Sequence, residues 1–529
     1  MGHDDWVTGL QWHPSYRYTN GNKKLQLLTS SADTALMIWE MDPDSGIWVC
    51  VSRLGEMSIK GASTATGASG GFWSCLWFID EESDSQYVLA NGKTGSFRVY
   101  KSIEESNQFE SVLGVTGAVR DITDLKWSLN GEYFTATSLD QTTRLYAPWR
   151  SNRQFTTWHE FARPQIHGYD MICYDNITGS KFVSGGDEKI LRAFEMTNSL
   201  SKLLKKLCGF QVVEENVELP ESASLPVLGL SNKAANEQLE TGDLAPQQQD
   251  DEEQQPPQQD DVLTSLETPP LEEYLQRYTL FPEIEKLYGH GYEISCCASS
   301  PNGSLIASAC RSNTAKHAVI RVFNAKQDFQ QCTQILQGHN LTISSLEFSP
   351  NGKYLLAVSR DRQFSLWTVE NETTGEFKLF ELNPKPHTRI LWDCSWVGEN
   401  QYGDFFVTVS RDRHMKLWKV GESQCELVAS TKLPQPITSV SVFKGGLIGT
   451  NAIVAVGLEN GGISVFQFDI AQAISEFKHI VDLDELIVPA NRIEKLSFSN
   501  KLHSDKLWLG VGSKDTSVRL YTIDKSLFL

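Results

Sequence analysis

A chain of 529 residues, 40% of them apolar, exceeds what a single ordinary core supports and predicts repeats or several domains. Its net charge of −19 excludes a protein that coats nucleic acid with its whole surface, while leaving room for a local basic patch. The acid is concentrated: residues 237–273 hold twelve Asp and Glu and no Lys or Arg, which leaves −7 for everything else.

Ten cysteines are scattered without a CxxC pair or paired metal spacing, which predicts a reducing, intracellular protein with buried free thiols. Adjacent Cys296 and Cys297 read as neighbouring strand positions. The opening "MGHDDWVTGL" has no secretory pattern, and Trp6 stands where myristoylation needs Ser or Thr. No run of about eighteen apolar residues occurs, so no membrane span is expected.

In chain order, period-two apolar runs broken by turn residues recur as units of about 40 residues. "GHDDWVTGLQW" leads to "SSADTALMIW" (2–39), and "GGFWSCLWF" to "NGKTGSFRVY" (70–100). "VRDITDLKWSLNGEYFTATSLDQTTRLY" covers 119–146, and "IHGYDMICY" leads to "SGGDEKILRAF" (166–194). "YGHGYEISCCASSPNGSLIASA" leads to "HAVIRVF" (288–323), followed by "GHNLTISSLEFSPNGKYLLAVSRDRQFSLWTV" from Gly338. "PHTRILWDCSW" leads to "SRDRHMKLW" (386–418), "PITSVSVF" to "LENGGISVF" (436–466), and "RIEKLSF" to "SKDTSVRLY" (492–521). Nine such four-stranded units predict an all-β protein, a β-propeller. The interval 198–282 has no repeat. There "SLSKLLKKL" predicts a short amphipathic helix and "QQQDDEEQQPPQQDD" a disordered, solvated loop. "LEEYLQRY", after Pro269 and Pro270, predicts a second short helix.

Four residue types recur at matched offsets in three units: His3, Ser31, Asp33 and Trp39; His339, Ser359, Asp361 and Trp367; His387, Ser410, Asp412 and Trp418. An apolar strand residue lies seven after each His, and the Trp six after each Asp. Here the chain resembles the WD-repeat family. That resemblance implies a buried hydrogen-bond chain with Asp in a turn, His in the preceding loop, Ser on a strand and Trp beside them.

His, Ser and Asp are also hydrolase-triad types, but a triad is needed once. This set is complete three times and partial at Ser138/Asp140 and Ser513/Asp515, which favours structure. The fourth unit has Glu188 at the Asp offset, and the fifth a longer turn, "CRSNTAKH". "GASGG" (67–71) matches a nucleophile elbow but runs into strand pattern, and "GKT" (92–94) has Tyr87 where a P-loop needs glycine. No catalytic, metal-binding or cofactor-binding residue and no cofactor are expected.

The interruptions are more specific. "GEMSIKGASTATGASGGFWSCLWF", "SLDQTTRLYAPW", "WHEFARPQIHGYDMI", "FVSGGDEKILRAFE", "PVLGLSNKA" and "KLYGHGYEI" together resemble the second-subunit family of the Elongator complex. The resemblance covers essentially the whole chain apart from the acidic loop. It implies two seven-bladed propellers in tandem, forming a non-catalytic scaffold between the large first subunit and the catalytic third. It also implies a complex that modifies tRNA wobble uridines in cytoplasm and nucleus, with acetyl-CoA and an iron–sulfur radical centre on the third subunit. Residues 111–529 would then be one complete propeller, interrupted at 198–282, and 1–110 the last two blades of another. On that count the chain lacks most of an N-terminal propeller; Met1 is then internal to a longer reading frame, or begins a short isoform. The competing readings are a propeller that binds nucleic acid directly, and an enzyme built on a propeller, for which no convergent polar set is seen.

Arginines flank the repeat Asp at Arg360, Arg362, Arg411 and Arg413, where other units carry Ala32 and Thr34, Leu139 and Gln141, or Lys514 and Thr516. With the turn and the His loop on one face, as in the WD-repeat family, Arg389 and Arg311 join them. A basic arc facing a partner is expected: another Elongator subunit, an acidic cytoskeletal surface or tRNA backbone.

Overall fold

The computed structural model describes residues 2–16, 25–55, 71–92, 95–103, 107–150, 155–214, 217–221, 223–224, 233–234, 259–472 and 476–529. Most of the acidic segment, nearly all of "GASGG" and the last two residues of "GKT" lie outside the described residues. Gly71 is followed by a strand, Phe72–Ile79, and not by the helix an elbow requires.

Among the described residues the chain forms nine antiparallel sheets of three or four strands, and a two-stranded ribbon between 223–224 and 233–234. The first strands of the nine sheets are Val7–Trp12, Phe72–Ile79, Ile122–Trp127, Met171–Asn176, Ile294–Ser299, Ile343–Phe348, Leu391–Trp396, Ile437–Val442 and Ile493–Phe498. Eight sheets have four strands. The ninth has three, ending at Val518–Asp524, where four were expected.

The sixth sheet illustrates why these residues form strands. Ile343, Leu346 and Phe348 point inward from the first strand, and Leu355 to Ser359 are buried on both faces of the second. A strand sandwiched between neighbouring sheets has no polar face, so the alternation seen on first strands gives way to a continuous apolar run. Between them Gly352 takes φ 71°, and Asn351 Oδ1 accepts from Ser349 Oγ at 2.7 Å.

All nine sheets carry a register shift near the start of the first strand, leaving one unpaired residue. From the third sheet onward the first strands touch their neighbours in cyclic order, and Ile493–Phe498 returns to Ile122–Trp127. Trp127 Nε1–H donates across that junction to Ser497 O at 2.8 Å, and Ser499 Oγ–H to Gly131 O at 3.1 Å. Several bulge residues staple the ring: Thr123, Ser295, Ser344 and Thr438 each donate a hydroxyl to a carbonyl of the next sheet, at 2.6–3.0 Å.

The interval 198–282 sits inside the fourth sheet, whose last strand, Glu283–Leu287, pairs with Leu191–Glu195 across the whole insertion. The two predicted helices are Asn198–Cys208 and Glu272–Arg277; a further helix, Gln259–Ser265, forms where the acidic loop was expected to continue. The first helix buries Leu200, Leu203, Leu204 and Leu207 against Trp149 and Phe161 of the third sheet. No helix among the described residues is long and apolar enough to cross a membrane.

Candidate interaction surface

In the sixth sheet the turn after the second strand and the loop entering the first strand meet through a hydrogen-bond chain. His339 Nδ1 lies 3.1 Å from Asp361 Oδ2. Trp367 Nε1–H donates to Ser365 Oγ at 3.0 Å, and Ser365 Oγ meets His339 Nε2 at 2.9 Å. With neutral imidazole one proton arrangement satisfies all of these contacts: indole to hydroxyl, hydroxyl to Nε2, Nδ1–H to carboxylate. Asp361 also accepts from the backbone N–H groups of Asn340 (2.8 Å) and Gln363 (3.0 Å). Burial alone would push the Asp361 carboxyl up; His339 and those two N–H groups hold it below the ordinary carboxylate range.

The first and seventh sheets repeat the arrangement. His3 contacts Asp33 (3.1 Å) and Thr29 (2.6 Å), with Trp39 donating to Thr29 (2.9 Å). His387 contacts Asp412 (3.2 Å) and Thr408 (2.9 Å), with Trp418 donating to Thr408 (2.9 Å).

The serines expected inside these chains are elsewhere. The hydroxyls of Ser31, Ser359 and Ser410 accept from the N–H of Asp33, Asp361 and Asp412 at 3.1–3.2 Å, so they shape the turn. The link between His and Trp is Thr29, Ser365 or Thr408. Side chains two apart share a strand face, so Thr29 and Thr408 sit one step deeper than Ser31 and Ser410. In the sixth sheet that deeper position is Ala357, which has no hydroxyl, and its registered partner Ser365 supplies one.

Other sheets vary the theme. Glu188, one methylene longer than Asp, still reaches His167 at 2.7 Å and Arg192 at 2.8 Å. Although burial opposes it, those contacts bring its pKa down to about 2. In the third sheet Ala118 stands where the loop His would be, and Arg144 approaches Asp140 at 3.4 Å instead. The fifth has no acid: His290 Nε2 meets Ser308 Oγ at 2.8 Å, and Nδ1 has no partner among the described residues.

The six arginines surround this machinery and are all exposed. Arg362 and Arg413 have φ of 72° and 71°, but so do Gln141 and Thr516 at 72°, so the left-handed conformation belongs to the turn. Arg311 is not unpaired: it meets Asp187 at 2.7 Å. Arg413 Nη1–H donates to Pro434 O at 3.4 Å. Arg360, Arg362, Arg389 and Arg411 make no ion pair among the described residues. The acids nearest in sequence, Asp361 and Asp412, are occupied by His and backbone N–H groups. The sixth and seventh sheets adjoin, so this end of the ring carries adjacent unmatched guanidinium groups on an acidic protein.

The family described as "WD domain, G-beta repeat" matches at residues 1–40, 110–147, 281–317 and 330–368. These four stretches are WD repeats. The chain's sheets are the blades of a β-propeller architecture, and the His–Asp chains of the first and sixth sheets fall within matched repeats. Along its length it is similar to Elongator complex protein 2 of Saccharomyces cerevisiae, 48% identical over 99% of this chain and 64% of that protein. The Schizosaccharomyces pombe and Homo sapiens proteins of the same name are 37% and 34% identical, again over 99% of this chain. The chain spans less than two thirds of the length of these relatives, 64–66%.

Proposed function

We propose that this chain is a non-catalytic scaffold of the Elongator complex and that the arginine arc on its sixth and seventh sheets faces an acidic partner. The observation behind the scaffold reading is the similarity to Elongator complex protein 2 along 99% of the chain. Behind the partner-facing reading stand four exposed arginines that have no ion pair among the described residues. Like charges held this close raise the local potential unless an anionic surface meets them, and the guanidinium fork suits carboxylate or phosphate. The partners proposed are the large first and catalytic third subunits, in cytoplasm and nucleus, in support of tRNA wobble-uridine modification. Within the chain, 111–529 is proposed as one seven-bladed propeller and 1–110 as two blades of another.

The test is affinity purification of the tagged chain with mass spectrometry, comparing the parent with a variant carrying Arg360, Arg362, Arg411 and Arg413 changed to Glu. The variant is expected to fold, because Asp361 and Asp412 remain, and to lose Elongator subunits. Asp361→Ala is the contrasting control: it orphans buried donors and should cost about 1–3 kcal/mol of stability. A four-Glu variant that retains its partners would reduce the arc to solvated charge. Direct nucleic-acid binding is the second reading, favoured by the same arginines. It predicts retained RNA that is lost steeply as salt rises, whereas subunit assembly should survive high salt.

A further inference from the structure

The ring encloses a channel, and its mouth differs from one sector to another. At the bulge position of each first strand, four sheets carry the stapling hydroxyls of Thr123, Ser295, Ser344 and Thr438. The seventh and ninth sheets carry Trp392 and Glu494 instead. A β-bulge is where a strand re-aims a side chain. Here it directs a flat aromatic ring and a carboxylate into a cavity of about 360 Å³ whose lining also includes Arg360, Arg492, Lys126 and Lys495. The Arg492 guanidinium lies 4.4 Å from the Trp392 ring centroid.

The acids and the cations of this cavity are not equally satisfied. Asp393 accepts from Ser345 Oγ (2.8 Å), Ser439 Oγ (3.1 Å), the N–H groups of Cys394 and Val440, and Lys495 Nζ (3.0 Å). Asp124 accepts from the N–H groups of Leu125 (2.9 Å) and Tyr174 (3.0 Å). Among the described residues, the ammonium of Lys126 has one ion contact, with Asp175 at 3.8 Å, beyond hydrogen-bond reach. Arg360 has no ion pair among the described residues. Arg492 Nε and Glu494 Oε1 face each other at 3.2 Å, yet both are buried without a hydrogen bond. Five cationic side chains line the cavity against three carboxylates. The donors that lack acceptors therefore converge on the same space. Burial would push the Lys126 ammonium down, but Asp175, Asp124 and Glu347 hold it above its ordinary value, so it remains charged.

We infer that the channel mouth is a binding site for a small free oxyanion of the phosphate class, held between Arg360, Arg492 and Lys126 with Trp392 as its wall. The site lies inside the outer arginine arc, sharing Arg311 and Arg360 with it but not Arg362 or Arg411. The size suits a mono- or diphosphate group, not a folded partner.

Isothermal titration of the full chain with inorganic pyrophosphate, at fixed ionic strength, tests this. Saturable binding at one site is expected. Lys126→Met and Arg360→Ala should each weaken it about tenfold, the loss of one charge-assisted hydrogen bond. Arg411→Ala, outside the cavity, should leave it unchanged. Because Lys126 is interior, each variant's thermal melt is recorded; if Lys126→Met unfolds, exposed Arg360→Ala carries the test. Absence of saturable binding to the parent would overturn the proposal. So would an equal loss in Arg411→Ala, which would mean that pyrophosphate is held by the outer arc.

Discussion

At the scale of single residues, burial acts on the imidazoles of this fold, holding His387 below its ordinary value although Asp412 pulls the other way. His339 and His387 each face a carboxylate. His290 occupies the matching place in the fifth sheet without one. Burial, reinforced by the charge of Arg321, brings its pKa down to about 3. Below about pH 6.5 an unfolded chain protonates this side chain and the native chain does not, so stability is lost as pH falls from 6.5 toward 3. His290→Gln should flatten that decline by at most about 1.4 kcal/mol per pH unit, the linkage limit for one proton. Urea unfolding of parent and variant at pH 8, 6 and 5 checks it; parallel curves would contradict the buried neutral imidazole.

At the scale of elements, the insertion is fastened by charge as well as by its leucines. Arg163 makes two parallel hydrogen bonds to Glu272 (2.8 and 2.9 Å) in the first turn of helix Glu272–Arg277, and also meets Glu160 at 2.9 Å. Arg144 contacts Glu160 at 3.1 Å. Breaking one partner of such a buried set leaves an uncompensated ion, so Glu272→Ala should cost about 3–5 kcal/mol. It should also release residues 259–282 to limited proteolysis while far-UV circular dichroism stays near parental.

Nothing local announced this cluster. Glu272 lies 109 residues from Arg163, and "LEEYLQRY" reads as an ordinary amphipathic helix. Strand patterning, by contrast, was legible because Leu355–Ser359 and its counterparts carry their periodicity within six residues. The His–Asp spacing was legible for the same reason. The linking hydroxyl was not, because Ser365 replaces it from a neighbouring strand and only the register reveals that Ala357 is its partner. The channel residues were hidden more deeply. Lys126, Trp392 and Arg492 come from three different repeats, and a bulge of one residue sets the direction of Trp392.

At the scale of the whole molecule, two kinds of surface coexist. The first strands of the ring are covered on both sides, and Leu125 is 0% exposed. On the first two sheets, Leu10 and Trp73 are 66% and 60% exposed, and Trp12 and Phe78 are also open to solvent. The second sheet reaches the ring partly through Leu113, half-buried against the core shared by the third sheet and helix Asn198–Cys208.

The junction between Trp127 and Ser497 also carries a consequence for timing. These two residues are 370 positions apart, and the hydrogen bond between them exists only once the last sheet has been made. On a ribosome the third sheet emerges long before its neighbour on that side, and the fourth must wait for Glu283–Leu287 to cross its insertion. Loop closure over such spans costs little extra free energy, since each doubling of length adds about 0.6 kcal/mol, but it slows folding. Refolding should therefore be strongly non-uniform in time. In pulsed hydrogen exchange, amides of Ile343–Phe348 and Leu391–Trp396 should gain protection early, and those of Ile122–Trp127 only in the final kinetic phase. Simultaneous protection of all three strands would mean that the ring condenses in a single step, and that its seam is no later than its arc.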